Sequence, residues 1–143
     1  MSAPALQLAP RLPDWRVRLT NYLAEVARHP LRPGRHDCAL FVAGAVRAMT
    51  GSDPARGWRG KYRSLAAGQR ALEARGYGDH VALVAAWCPP VAPAFAAVGD
   101  IAVMKSDADA AALGLVQGAS VYVLSRTGLV LVSRMEMLGA FKV

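Results

Sequence analysis

Pro33-Gly34-Arg35-His36-Asp37-Cys38-Ala39-Leu40-Phe41-Val42 is the stretch that decides the fold: a tight turn delivers a cysteine to the first turn of an apolar helix. Asp37 reads as the N-cap, because its short carboxylate can accept from backbone N–H groups that the first helical turn leaves unpaired. Gly51, after Met49-Thr50, reads as the stop. From Cys38 onward, Phe41, Val42, Ala45, Val46 and Met49 recur at i+3, i+4, i+7, i+8 and i+11, which makes one apolar stripe with the sulfur at its N-terminal edge. Unpaired N–H groups and the positive end of the helix dipole favour a thiolate there, so the sequence predicts a lowered thiol pKa and a candidate nucleophile. The competing reading is a small buried hydrophobe at a helix start, since free cysteine is among the most buried residue types.

Outward from this helix the chain divides into two halves. Residues 1–13, with Pro4, Pro10 and Pro13, read as an irregular arm, and 14–143 as a single domain. In the helical half (14–88), Asp14 is expected to cap a helix with Trp15, Leu19, Tyr22, Leu23 and Val26 on one face. Further helices are expected from Ser64 to Arg75, closed by Gly76, and from Asp79 to Trp87, with Cys88 as a core residue at the helix end. Pro89 through Val98 reads as a crossover to the β half (99–143). There, Gly99-Asp100-Ile101-Ala102-Val103-Met104 enters a strand, and a short polar loop leads to a second at Leu113–Gly118. Val121–Leu124 and Leu129–Val132 form an antiparallel pair through Ser125-Arg126-Thr127-Gly128. Helices and sheet segregated along the chain define an α+β fold.

An "Asp-Cys" helix start, followed by a small antiparallel β half opening with "Gly-Asp", resembles the NlpC-type papain-like cysteine peptidases of the cell wall. The chain resembles more closely a phage- and prophage-associated family of unknown function related to them. In that family Gly34-Arg35-His36-Asp37-Cys38-Ala39-Leu40-Phe41 is the signature, and an aromatic-basic-aliphatic ending such as Phe141-Lys142-Val143 is usual. The resemblance covers roughly residues 14–143. It implies a papain-like fold, with Cys38 at a helix N-terminus packed on the sheet and acting as nucleophile in an active member.

In the NlpC-type enzymes the general base is a histidine that begins the second core strand, in a pattern like His-Val-Gly-Ile-x-x-Gly. Laid on this chain, the pattern falls on residues 112–118, and Ala112 takes the histidine's place. Alanine can neither accept a proton from a thiol nor return one to a leaving amine. The tryptophan common before the glycine of the signature is replaced by Pro33. Three histidines remain. His36 is a substitute base only if its turn curls back on the sulfur, and is otherwise a loop side chain bonding to backbone. His80 reads as a solvated first-turn residue, and His29 as a cationic ring at a helix C-terminus. Asp37 is read as a helix cap ahead of an acid or base.

The 143 residues suffice for a real core, and 54% apolar content excludes a disordered chain. Apolar runs are broken well before membrane-spanning length, and no signal peptide is visible. Two cysteines without an export signal give no disulfide framework. Together with three scattered histidines they give no metal-ligand spacing, and no cofactor motif is present. The net charge of +7 and pI near 10.1 would favour any polyanion. Arg28, Arg32, Arg35, Arg47, Arg56, Arg59, Lys61, Arg63, Arg70 and Arg75 crowd the middle third, without a recognised nucleic-acid motif. Trp58 and Tyr62 fit an exposed binding loop and a packed one equally. The leading expectation is a phage tail-tip or tail-assembly component, located in the virion tail after assembly in the host cytoplasm, with a degenerate NlpC-type site. Its expected partners are other tail proteins and peptidoglycan, and the apolar arm or the chain end is expected to dock on a partner chain. An active cysteine peptidase or amidase cutting peptidoglycan peptides during genome delivery is the alternative. A basic nucleic-acid-associated protein is the third reading.

Overall fold

The computed structural model describes residues 8–106 and 111–143; the first part of the N-terminal arm and most of the polar loop before residue 112 lie outside them. Among these residues four helices precede a six-stranded sheet: α1 (Trp15–Val26), α2 (Cys38–Thr50), α3 (Leu65–Ala74) and α4 (His80–Trp87), then β1 (Pro90–Val91), β2 (Ile101–Met104), β3 (Ala112–Val116), β4 (Ser120–Ser125), β5 (Gly128–Ser133) and β6 (Met137–Phe141). All neighbours are antiparallel, in the order β1-β6-β2-β3-β4-β5. The fold is α+β.

Helix α2 is the centre of the main core. Phe41, Val42, Ala45, Val46 and Met49, the stripe read from the sequence, are fully buried. Gly51 ends the helix at φ 80°, and its N–H closes on the Arg47 carbonyl. Against α2 the sheet presents Ile101, Val103, Leu113 and Leu115. The alternate residues Ala102, Met104, Ala112 and Val116 face the other way, into a second cluster with Val121 and Ala140, as the period of two in a strand requires. The Arg134 guanidinium fastens this second face, donating to the carbonyls of Gly118, Pro93 and Ala96 at 2.8–2.9 Å. It thereby ties two short 3-10 turns, Pro93–Phe95 and Arg134–Glu136, to the sheet.

Several expectations need correction. Asp14 stands before α1 but makes no capping bond; its carboxylate accepts from Arg18 Nε at 2.8 Å instead. Strands β1 and β6 were not expected, and β6 is inserted between β1 and β2, so chain order does not give strand order. The described part of the arm packs on its own domain, a contact outside the sequence expectations and separate from the expected docking on a partner chain, which stays a proposal. Leu8 packs against the main core, Leu12 N–H donates to the Met49 carbonyl at 2.8 Å, and Arg11 reaches Asp100 and the Val143 carbonyl. The chain end is held likewise: Val143 N–H donates to Asp100 Oδ1 at 3.0 Å. Among the described residues no helix is long and apolar enough to cross a membrane.

Candidate functional site

The turn before α2 is held by the carboxylate of Asp37, which is buried. Its Oδ1 accepts the Leu40 N–H at 3.0 Å, which makes it the N-cap of α2. Its Oδ2 accepts the Gly34 N–H at 3.1 Å and the Tyr62 hydroxyl. Both oxygens are thus committed to dipoles that replace its lost hydration. Gly34 is required twice over: its φ is 78°, and a Cβ there would lie 1.8 Å from the Tyr62 carbonyl oxygen. The Gly60 N–H donates to the Gly34 carbonyl at 2.8 Å, so the segment around Tyr62 lies directly on the signature turn. Trp58 is buried in an edge-to-face contact with Tyr77. Both aromatics of that segment therefore pack inward, which selects the packed reading over the exposed one.

Cys38 begins α2 and packs at the edge of the main core, half-buried as a residue. The sequence predicts a lowered thiol pKa, but burial pushes the thiol up, to about 11. The N–H groups of Leu113, Ala39 and Cys38 itself pull the other way and are outweighed. The reason is a matter of magnitude: a helix terminus favours an anion by a fraction of a kcal/mol to about 2 kcal/mol, whereas full desolvation shifts a group by up to 3–5 pKa units. At pH 7 on the order of one thiol in 10⁴ is ionised.

No histidine bonds Cys38 among the described residues. The His36 ring lies edge-on to Phe41 and His29, with centroids 6.0 and 5.9 Å away, and its buried Nε2 has no hydrogen-bond partner among the described residues. Burial and the neighbouring His29 hold its pKa below the ordinary value. His36 also lines an open groove of about 690 Å³ between α1 and α2, along with Tyr22, Arg47 and Arg59; Cys38 does not line it. Ala112, the expected histidine position, belongs to the second cluster and so lies on the sheet face turned away from α2. Ala111 is the neighbour on the α2 side, and it too is alanine.

His80 is the residue that sequence reasoning misplaced. It is half-buried rather than solvated, and its Nε2 bonds the Ala111 carbonyl. Val116 directs its N–H and C=O toward the β2 side, so Ala111 and Leu113, at odd offsets from it, direct theirs toward the β4 side. Pairing between β3 and β4 stops at Gly114. Beyond that point the His80 Nε2 takes the Ala111 carbonyl on the vacated edge of β3, two residues from Leu113, whose N–H favours the Cys38 thiolate. Asp79 before a helix gave the only sequence signal, and it reported the cap, not the contact with β3.

Among the described residues no group of three or more His, Cys, Asp or Glu is placed to hold a metal ion. Cys88 is buried at the end of α4, and burial pushes its thiol up to about 12. The chain belongs to the family described as a domain of unknown function, DUF6950, whose model matches residues 10–143. No curated protein matches it.

Proposed function

We propose that this member of the family is a structural component of a phage-type tail, at the tail tip or in tail assembly, built on a papain-like scaffold of NlpC type whose cysteine site is catalytically silent. The observation that carries the loss of chemistry is the state of Cys38: a buried thiol held up at about 11, bonded by no histidine, beside alanine at both 111 and 112. A missing general base costs on the order of 10²–10⁴-fold in rate, and a protonated nucleophile lowers the rate further. The setting rests on the resemblance of Gly34–Phe41 to the phage and prophage signature. What remains of the motif works for the fold, with Gly34, Asp37 and Leu40 closing the turn. Virion tail proteins are the proposed partners, and the assembled tail is the proposed location.

The test is a muropeptide digest by the purified protein together with co-purification from assembling particles. The reading expects no cleavage above background and stable association with other tail proteins. A second reading, an active cysteine peptidase or amidase acting on peptidoglycan peptides, is favoured by one observation: His80 bonds Ala111, two residues from the Leu113 N–H that favours a Cys38 thiolate. Muropeptide release that disappears in both Cys38→Ser and His80→Ala would establish that reading and overturn the first.

A further inference from the structure

We propose that the two arginine-bearing loops beside the cysteine helix form one basic collar, and that this collar binds a carboxylate-rich protein segment. The inference stands whether Cys38 is silent or active. The loop before α2 carries Arg32 and Arg35, and the loop before α3 carries Lys61 and Arg63; all four are exposed. Although separated along the chain, the loops are pinned side by side by the Gly60-to-Gly34 backbone bond at 2.8 Å and by the Tyr62 hydroxyl on Asp37. Both carboxylates that these two loops carry are already engaged. Asp37 is buried in its three bonds, and Asp53 is gripped through two of its oxygens by Arg59 at 2.8 and 3.2 Å. None of the four cations takes part in an ion pair among the described residues. Like charges on loops held together in this way repel, and an anionic ligand relieves that repulsion.

The chemistry of the ligand follows from what surrounds the collar. Arginine dominates it, and a guanidinium fork fits carboxylate or phosphate in two parallel hydrogen bonds. Recognition of single-stranded nucleic acid relies on exposed aromatic faces for base stacking, but here Trp58 is buried against Tyr77 and Tyr62 is tied to Asp37. Sequence reading of duplex DNA calls for a helix or β-ribbon that enters a groove, and these cations stand on loops, which leaves a duplex only non-specific phosphate contacts. A chain of carboxylates, matched to the guanidinium forks and needing neither stacking faces nor a groove-reading element, is the occupant favoured here.

The probe is a labelled poly-glutamate peptide, titrated by fluorescence anisotropy against the full chain at about 50 mM salt, where exposed charges are little screened. Binding that weakens with added salt is expected. Charge reversal at Arg32, Arg35, Lys61 and Arg63 (each to Glu) should weaken it at least roughly tenfold, as several exposed pairs acting together allow. Equal reversal at the exposed Arg16, Arg70, Lys105 and Arg126 should weaken it by less than roughly threefold. Should the reversed collar fail to fold by circular dichroism, Arg32→Gln with Arg35→Gln supplies a milder variant, with the same ordering expected against Arg70→Gln with Arg126→Gln. Equal losses at both sets of positions would show that net charge alone binds the peptide, and absence of binding would also overturn the proposal. Tighter binding of a short DNA duplex than of the peptide at the same salt would overturn the carboxylate assignment.

Discussion

Asp37 and Asp100 are both buried carboxylates at the entrance to a core element, and they are stabilised in opposite ways. Asp37 is surrounded by neutral donors: two backbone N–H groups from its own turn and the hydroxyl of Tyr62. Asp100 is fully buried and meets charge, with the Arg11 guanidinium at 3.1 Å and Lys142 Nζ at 3.9 Å, besides the N–H groups of Ala97 and Val143. The first is a local device, closed mostly within four residues of sequence, and it shapes the cysteine turn. The second is a clasp between distant parts of the chain, joining the N-terminal arm, the β2 entrance and the last residue. Chemistry-bearing motifs therefore need not signal chemistry: both "His-Asp-Cys" and "Gly-Asp-Ile" place an aspartate whose bonds serve the fold.

The comparison predicts unequal costs. Asp100→Ala takes the counter-charge from a guanidinium whose side chain is only 17% exposed, leaving it the Val98 and Val143 carbonyls, and loosens the arm and the chain end together, so a loss of about 3–5 kcal/mol is expected from urea unfolding. A loss below about 1 kcal/mol would show that solvent, and not the clasp, stabilises Arg11. Asp37→Asn keeps one acceptor for the Leu40 N–H but sets an amide NH₂ against the Gly34 N–H and the Tyr62 hydroxyl. A smaller loss of about 1–3 kcal/mol is expected, measured in the same way. A cost equal to that of Asp100→Ala would remove the distinction between neutral and charged surroundings. Smallest of the three, Tyr62→Phe removes one donor and leaves the ring packed on Gly68, for about 1 kcal/mol. No measurable change would place the Tyr62 hydroxyl outside the support of the turn.

The same contrast explains what was legible in the sequence. The start, stop and buried stripe of α2 follow from short-range rules, and so does the pairing of β4 with β5, whose register runs from Ser120↔Ser133 to Ser125↔Gly128. Strand β1 is two residues beginning with proline, and β6 carries Gly139 and pairs only with strands far away in sequence, so neither has a periodic signal of its own. The candidate site was half legible. Asp37 as cap is a local matter, but the direction of the Cys38 shift depends on how β3 packs over α2, which no spacing within the turn reports. The face taken by Ala112 depends on strand register, where one residue reverses the outcome. A histidine introduced at 112 is expected to enter the second cluster and leave Cys38 reactivity unchanged. His80 reaches β3 only through the tertiary docking of α4.

A silent cysteine site requires Cys38 to stay protonated with no base beside it, and its alkylation rate as a function of pH reads that state. A folded-state pKa raised from 9.0 to about 11 means that the thiolate fraction climbs through the alkaline range and levels off only near pH 11. Iodoacetamide labelling of Cys38, followed by mass spectrometry of the native protein, should be far slower near neutral pH than in the unfolded chain. It should rise about tenfold per pH unit up to about pH 10. Rapid labelling with a plateau already reached below pH 7, the signature of a thiolate paired with a histidine, would contradict a silent site.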